Sequence, residues 1–360
     1  MRECMKTIKI GRKTIGDNNP VYFIADIAAN HDGDLDRAKM LISLAKNAGA
    51  DAVKFQNHNC DKYVSDLGFQ QLGKKMSHQS KWKKTIYEIY KDAEIPTDWT
   101  AELNAYAKKQ GVEYFSTPYD LDMVDILDPY VNIYKIGSGD INWNEFLIKV
   151  AKKDKPVIIS TGASNIGDVQ HAIEVVHQYN EDIILLQCNT NYTGKIENFK
   201  YIHLNVLKTY QLMYPDVIVG LSDHTIGHST VLGAVALGGK VIEKHFTDDN
   251  TRSGPDHPFS MMPETWREMV DRTRELEFAL GDYSKYLQEN ESETVILQRR
   301  CIRTNHYLKR GDIITRNDIE FQRPAPAGSI PPNDIHLVIG KTLKADVKKG
   351  EHISLEKNLM

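Results

Sequence analysis

Two histidines stand at matched places in this chain. Gly220-Leu221-Ser222-Asp223-His224-Thr225 closes one apolar run, Val217 to Leu221, and Glu243-Lys244-His245-Phe246 closes the next, Lys240 to Glu243. Both runs read as buried strands, and the small apolar segment Ser229 to Leu237 between them reads as a helix. A strand–helix–strand unit with parallel strands brings both strand exits to one edge. His224 and His245 can therefore converge on a single ion. Imidazole suits zinc, manganese, iron or cobalt, and two protein ligands leave positions for substrate, as catalytic sites do and closed structural sites do not. The competing role is that of two hydrogen-bonded histidines at strand ends. The shared register and the polar neighbours favour ligation.

Other strand exits carry residues that complete a site. Asp26 and Asn30-His31 follow the first strand, Lys54 and Gln56 lie on the second, and Ser116-Thr117-Pro118 ends the third. Lys135 and Gly137-Ser138-Gly139-Asp140 mark the fourth, Ser160-Thr161-Gly162 the fifth, and Gln187, Asn189, Thr190 and Tyr192 the sixth. Two lysines, several hydroxyls and a Gly-Ser-Gly turn facing one cavity suit a phosphate group: ammonium groups neutralise it, and hydroxyl and turn N–H groups donate to its oxygens. An unpaired lysine is rarely buried, so Lys54 and Lys135 need an anion or a carboxylate. Asp26 and Asp140 are candidate acid–base or hydroxyl-binding groups, or the salt-bridge partners of those lysines in the empty site. Asp256-His257, after Gly254-Pro255, lies on a loop that can close over substrate.

The elements that must position these groups repeat. Strand-like runs at Tyr22–Ile27, Ala52–Gln56, Glu113–Ser116, Ile133–Ile136, Pro156–Ser160, Ile183–Gln187, Val217–Leu221 and Lys240–Glu243 alternate with helical patterns. The first helix opens on Asp34, carries Leu35, Ala38, Leu41, Ile42, Ala45 and Ala48 on one face, and stops at Gly49. The last carries Trp266, Met269, Val270, Thr273, Leu276 and Leu280 and stops at Gly281. Eight such repeats predict a (β/α)8 barrel, with a hairpin from Thr7 to Gly16 plugging its bottom. A doubly wound open sheet is the alternative, but no GxGxxG follows the first strand. The long connection from Asn57 to Ile95, with His58, Asp61, Lys62, Tyr63, Ser77, His78, Lys81 and Trp82, reads as a lid or as a solvated helical insertion. The catalytic domain is expected over residues 1–285 and a barren acidic linker over 286–298. A small β-rich domain follows at 299–360, in which Leu308-Lys309-Arg310-Gly311-Asp312 and Val347-Lys348-Lys349-Gly350-Glu351 form two similar turns.

Composition narrows the partners. With 360 residues, 41% hydrophobic and 26% charged, the chain has ample core for a large domain and a small one. A net charge of −4 points to neither nucleic acid nor a polybasic membrane contact. Cys4, Cys60, Cys188 and Cys301 form no CxxC pair, Met1–Lys6 contains no apolar stretch, and no run is long enough to span a bilayer. The expectation is a reduced, cytoplasmic protein.

The ordered segments Ile24–Gly33, Ala48–Gln56, Ser116–Asp120, Tyr134–Asp140, Gly220–Thr225, Val241–Thr247 and Gly254–His257 resemble those of the sialic acid synthase family. The tail from Arg299, with Lys309-Arg310-Gly311 and Arg323-Pro324, is similar to that family's C-terminal antifreeze-like (SAF) domain. The resemblance implies condensation of phosphoenolpyruvate with an N-acetylmannosamine-like aldose, giving a nonulosonic acid and phosphate. It implies a divalent metal on His224 and His245, usually manganese, with magnesium or cobalt as alternatives. Lys54, Thr117, Lys135, Ser138, Ser160, Thr190 and Ser222 would grip phosphoenolpyruvate. Gln56, Asp140, Tyr192 and Asp256 would meet the sugar. Arg323 would reach into a partner's barrel in a domain-swapped homodimer. Asp26 and Asp140 stand where the family commonly has Glu, which leaves the sugar open. Condensation with another aldose, or sugar binding without turnover, are the alternatives.

Overall fold

The chain opens with a hairpin of two short strands, β1 (Ile8–Ile10) and β2 (Lys13–Ile15), paired antiparallel. This is a computed structural model, and it describes residues 6–16, 18–73, 79 and 82–360. Period-2 alternation turns Ile8, Ile10 and Ile15 inward, where they join the main core. Lys13 pairs with Asp51, just before a barrel strand, and Gly11 lies against the Glu113 carboxylate at the start of another. The hairpin therefore caps the amino-terminal end of the strands, opposite the mouth.

Eight parallel strands follow: β3 (Tyr22–Asp26), β4 (Ala52–Asn57), β5 (Glu113–Pro118), β6 (Tyr134–Ile136), β7 (Val157–Ser160), β8 (Ile183–Cys188), β9 (Ile218–Asp223) and β10 (Val241–His245). Their order is β5-β4-β3-β10-β9-β8-β7-β6, and β5 and β6 at its two ends pack beside each other. With helices alternating between them, the result is a nearly closed (β/α)8 barrel. The helix Leu35–Asn47 shows how locally the pattern is set. The Asp34 side chain accepts from the Asp36 and Arg37 N–H groups at 2.8 and 3.1 Å, and Ala38, Leu41, Ile42 and Ala45 face the sheet. The helix Pro263–Leu280 buries Trp266, Met269, Val270 and Thr273 and stops at Gly281. Strands β9 and β10 each run two residues beyond the apolar runs, which carries Asp223 and His245 into the ladder.

The long connection after β4 is helical in pieces: Cys60–Tyr63, Asp66–Gln71 and Ile86–Asp92. Cys60, Val64 and Ile86 form a small core of its own, packed with Tyr63, Trp82 and Tyr90. Of the residues read there as a lid, Ser77, His78 and Lys81 lie outside the described residues.

Contacts along the chain divide it after Gly281 into two units. In the second, the stretch read as a linker contains the helix Ser292–Gln298, followed by β11 (Cys301–Thr304) paired antiparallel with β12 (Ile319–Gln322). This unit has its own core, including Ile302, Leu308, Ile319, Val338, Val347 and Ile353. The two similar turns are built alike. Lys309 N–H donates to the Asp312 carboxylate at 2.7 Å and Lys348 N–H to that of Glu351 at 3.0 Å, while Gly311 and Gly350 take φ of 92° and 80°. Leu308 and Val347 exchange backbone hydrogen bonds at 3.0 and 2.9 Å, which joins the turns as a pair. No helix among the described residues is long and apolar enough to cross a membrane.

Candidate active site

Alternation along β9 and β10 sorts two runs of three functional groups onto two sides. Ser222, Glu243 and His245, with His224 just past β9, serve the mouth, whereas Asp223 and Lys244 point the other way. Behind the sheet, Lys244 Nζ donates to Asp223 Oδ2 at 2.5 Å and to the Thr225 carbonyl at 2.7 Å. Thr225 and Thr230 hydroxyls donate to the same carboxylate at 2.8 and 2.7 Å. This buried, hydrogen-bonded pair ties together the two strands that deliver the histidines.

At the mouth the His224 and His245 rings lie 5.3 Å apart, centroid to centroid. His224 Nδ1 is 3.0 Å from the Asn189 carbonyl and donates to it, which leaves Nε2 with its lone pair. His245 Nε2 is 3.6 Å from Asp26 Oδ2, and its Nδ1, 4.0 Å from Asp256 Oδ2, is buried without a hydrogen bond. Burial, then the neighbouring His245, depress His224 to about 3; burial, then Lys54, do the same to His245. Both rings are neutral at physiological pH and available as ligands.

Beside them sits a buried four-charge group. Lys54 Nζ is 2.6 Å from Asp26 Oδ2 and 3.8 Å from Glu243 Oε1, and Lys135 Nζ is 2.7 Å from Glu243 Oε1. Burial alone would lower Lys54, but Asp26 and Glu243 more than offset it and hold the ammonium above its ordinary value. Burial likewise pushes Glu243 up, and Lys135 and Lys54 together bring it below the usual carboxylate range. Hydroxyls border this group. Thr117 Oγ1 is 3.4 Å from Lys54 Nζ, Ser222 Oγ is 3.4 Å from Glu243, and Ser160 Oγ is buried with no partner. Ser138 Oγ accepts from Gly162 N–H at 2.9 Å, and Thr190 lies against the same glycine.

The remaining candidates form the outer wall. Gln56 Nε2 donates to Asp26 at 3.3 Å. Tyr192 packs on His224 with a centroid distance of 4.4 Å. Asp256 accepts from Ala29 N–H at 3.1 Å, and burial still pushes it up to about 7. Asp140 lies beside Tyr119 with Oδ2 unpartnered, and burial raises it to about 6. Tyr63, Tyr90 and Tyr119 meet there edge to face and tilted, with Tyr63–Tyr119 at 4.5 Å.

The residues placed above gather at one mouth, with one reassignment of partners, whereas Thr161 and Gln187 turn to Tyr210 on the helix Val206–Met213, and Asn30 turns to the Phe246 carbonyl and Ser260. The counter-ion of Lys135 is Glu243, and Asp140 forms no ion pair among the described residues. Glu243 was legible only as a strand-end acid; its spacing of two from His245 was the available signal for a shared face. Arg323 belongs to the second unit, exposed just after β12.

A (β/α)8 barrel that gathers imidazoles and buried lysine–carboxylate pairs at its carboxyl-end mouth has the architecture of an enzyme. The chain belongs to the NeuB family, whose profile matches residues 41–285, and it carries a SAF domain at residues 299–357. It is 33% identical to N-acetylneuraminate-9-phosphate synthase of Homo sapiens, over 95% of this chain and 94% of that one. It is 34% identical to N,N'-diacetyllegionaminic acid synthase of Campylobacter jejuni, over 92% and 98%. The crystal structure of N-acetylneuraminic acid synthetase from Leptospira borgpetersenii, in complex with citrate, superposes with a TM-score of 0.71 at 29% identity, covering 82% of this chain and 97% of that one.

Proposed function

We propose that this protein condenses phosphoenolpyruvate with an N-acylated hexosamine in its open-chain aldehyde form, releasing phosphate and a nonulosonic acid. The observation that carries the reading is the four-charge group of Lys54, Lys135, Asp26 and Glu243 set against two neutral histidines. Lys54 and Lys135 would turn toward the phosphate and carboxylate of phosphoenolpyruvate, and Thr117, Ser138, Ser160, Thr190 and Ser222 would donate to their oxygens. The unpartnered Ser160 hydroxyl is the kind of group a bound anion satisfies.

The histidine pair fits a divalent cation. One ring is oriented by a backbone carbonyl, the other keeps a buried nitrogen without a partner, and both are unprotonated. No three His, Cys, Asp or Glu side chains gather as a metal site among the described residues, so His224 and His245 would be the protein ligands and other positions would fall to water and substrate. Manganese, or magnesium or cobalt, would supply Lewis acidity toward the aldehyde oxygen.

Gln56, Asp140, Tyr192 and Asp256 would orient the aldose so that its aldehyde carbon faces C3 of the enol. The enol π electrons form the new carbon–carbon bond as the aldehyde C=O π pair moves onto its oxygen, which takes up a proton, and water adds at the cationic C2 left behind. Asp26, held by Lys54 and Gln56, would take the proton of that water, and the tetrahedral centre then breaks its bond to the phosphate oxygen. By the family resemblance Arg323 would complete the sugar site from a partner subunit. The test is phosphate release from phosphoenolpyruvate, with and without N-acetylmannosamine, in wild type and His245→Ala. Release that needs the aldose and disappears in the variant supports the reading. Release indifferent to the aldose, or to both the substitution and chelation, refutes it.

A further inference from the structure

Asp256, proposed above to meet the aldose, is held by the short stretch that follows β3. Its carboxylate accepts from Ala29 N–H at 3.1 Å. Its backbone carbonyl accepts from Ser260 Oγ at 2.7 Å, and Asn30 Nδ2 donates to that hydroxyl at 2.9 Å. Asp32 adds a charged hold. Its Oδ2 accepts from Arg252 Nη2 at 2.7 Å and Nε at 3.1 Å, and its Oδ1 lies 3.0 Å from His257 Nε2. A carboxylate can only accept, so the imidazole donates. That imidazole is fully buried, and its Nδ1 is 2.7 Å from Thr247 Oγ1. One carboxylate thus grips the chain on both sides of Asp256.

Packing alone does not fix this loop. Arg252, Ser253, Gly254 and Pro255 border an open cavity of about 890 Å³. A methyl on Gly254 would come within 2.6 Å of His257 Cδ2, so the chain doubles back tightly on the ring that Asp32 holds. So placed, Asp256 Oδ2 stands 4.0 Å from His245 Nδ1. Asp32 is itself anchored: Arg37 Nε lies 3.1 Å from its Oδ2, and Arg37 bonds Asp248 at 3.0 and 2.5 Å. Burial pushes the Asp32 carboxyl up, but the bonds from His257 and Arg252 outweigh that and bring it below its ordinary value. Its backbone takes φ of 53°, a conformation that Asp and Asn tolerate and Gly adopts freely. Lys54 and Lys135 are paired elsewhere, with Asp26 and Glu243, so this clamp serves the acceptor side of the mouth.

We infer that Asp32 is a positioning residue for the aldose: through Arg252 and His257 it sets where the Asp256 carboxylate stands beside His245, without touching substrate itself. The inference rests on the phosphoenolpyruvate-condensing reading and deepens it on the acceptor side. A displacement of about 1 Å is enough to spoil such a contact. The test measures the KM of each substrate with the other saturating and manganese present. The aldose is N-acetylmannosamine or its 6-phosphate, whichever wild type turns over faster. Asp32→Gly removes both grips without backbone strain, and Asp32→Asn keeps the fold of the turn but only one acceptor oxygen. In Asp32→Gly the KM for the aldose rises about tenfold or more, the cost of bonds to a charged group, and in Asp32→Asn about threefold, a partial rescue. The KM for phosphoenolpyruvate stays within about twofold in both. Arg252→Ala, at a side chain 41% exposed, gives the same split at about threefold. If Asp32→Gly does not fold, the other two variants carry the comparison. An unchanged KM for the aldose overturns the inference and leaves the condensation standing. Equal rises for both substrates show only a loosened fold and overturn it too. No phosphate release by wild type with either aldose sinks the condensation and the inference together.

Discussion

Removing the Lys135 charge should cost more than removing the charges of Lys135 and Glu243 together. Lys135 Nζ is 2.7 Å from Glu243 Oε1, and both side chains are 5% exposed or less. In Lys135→Met, Glu243 keeps only the second lysine, Lys54, at 3.8 Å, and that lysine is already bound more closely by Asp26 at 2.6 Å. A buried carboxylate stripped of its main partner typically costs ~3–5 kcal/mol. In Lys135→Met/Glu243→Gln the charge that needed compensation is gone and Lys54 retains Asp26, so most of that loss should return. Urea unfolding of the barrel gives the three free energies from the midpoints, provided the slopes agree. The coupling between the two positions should be on the order of 2–3 kcal/mol and favourable. A single-variant loss below ~1 kcal/mol, the range of exposed pairs, or a double variant whose loss is the sum of the singles, would refute the four-charge arrangement. Both variants should also raise the KM for phosphoenolpyruvate, because each leaves a single lysine facing the anion.

The pH dependence should follow Asp140, which burial raises to about 6. Its carboxylate form prevails only above that value, and that of Asp256 only above about 7, so kcat/KM for the aldose should rise with pH through about 6 to 7, and Asp140→Asn should remove the lower of the two steps. The same shift means that the folded state holds a proton the unfolded chain has already lost. Asp140→Asn should therefore stabilise the protein at pH 7–8 by on the order of 1–3 kcal/mol, with the gain vanishing as pH falls toward 4. At Gly162 an added methyl would come within 2.4 Å of the Thr190 methyl and 2.9 Å of Ser138 Oγ, so Gly162→Ala should displace two side chains proposed to bind phosphoenolpyruvate. Its KM for phosphoenolpyruvate should rise about tenfold, the cost of losing one or two hydrogen bonds to a charged group, with little change for the aldose; an unchanged KM would count against that pocket. For Arg323, mixing Arg323→Ala with His245→Ala protein should restore turnover if sites are shared between subunits, and verified mixed dimers without recovery would exclude sharing.

Much of this arrangement could be read from residue order. Each strand exit carried a polar cluster, and a capping acid or a terminating glycine marked the helices Leu35–Asn47 and Pro263–Leu280. What escaped was the pairing across the barrel. Lys135 and Glu243 are separated by 108 residues, and only closure of the sheet brings them together. The same holds for Tyr63, Tyr90 and Tyr119, which come from the long connection after β4 and a strand exit to form one wall. The short helices after β4 hold one or two turns each, too few for a 3.6-residue period to show. Lys244 and Asp223 were legible only as neighbours of the histidines, yet they face away and hold the two strands in register.

The most direct test follows a carbon atom. Phosphoenolpyruvate labelled with 13C at C3, incubated with the enzyme, a divalent cation and N-acetylmannosamine or its 6-phosphate, should yield a nine-carbon keto acid. Its labelled methylene should couple to the protons of a new carbinol carbon, with one phosphate released per bond formed. Label recovered only in pyruvate, or left in phosphoenolpyruvate across a panel of N-acylated hexosamines, would contradict carbon–carbon bond formation at this mouth.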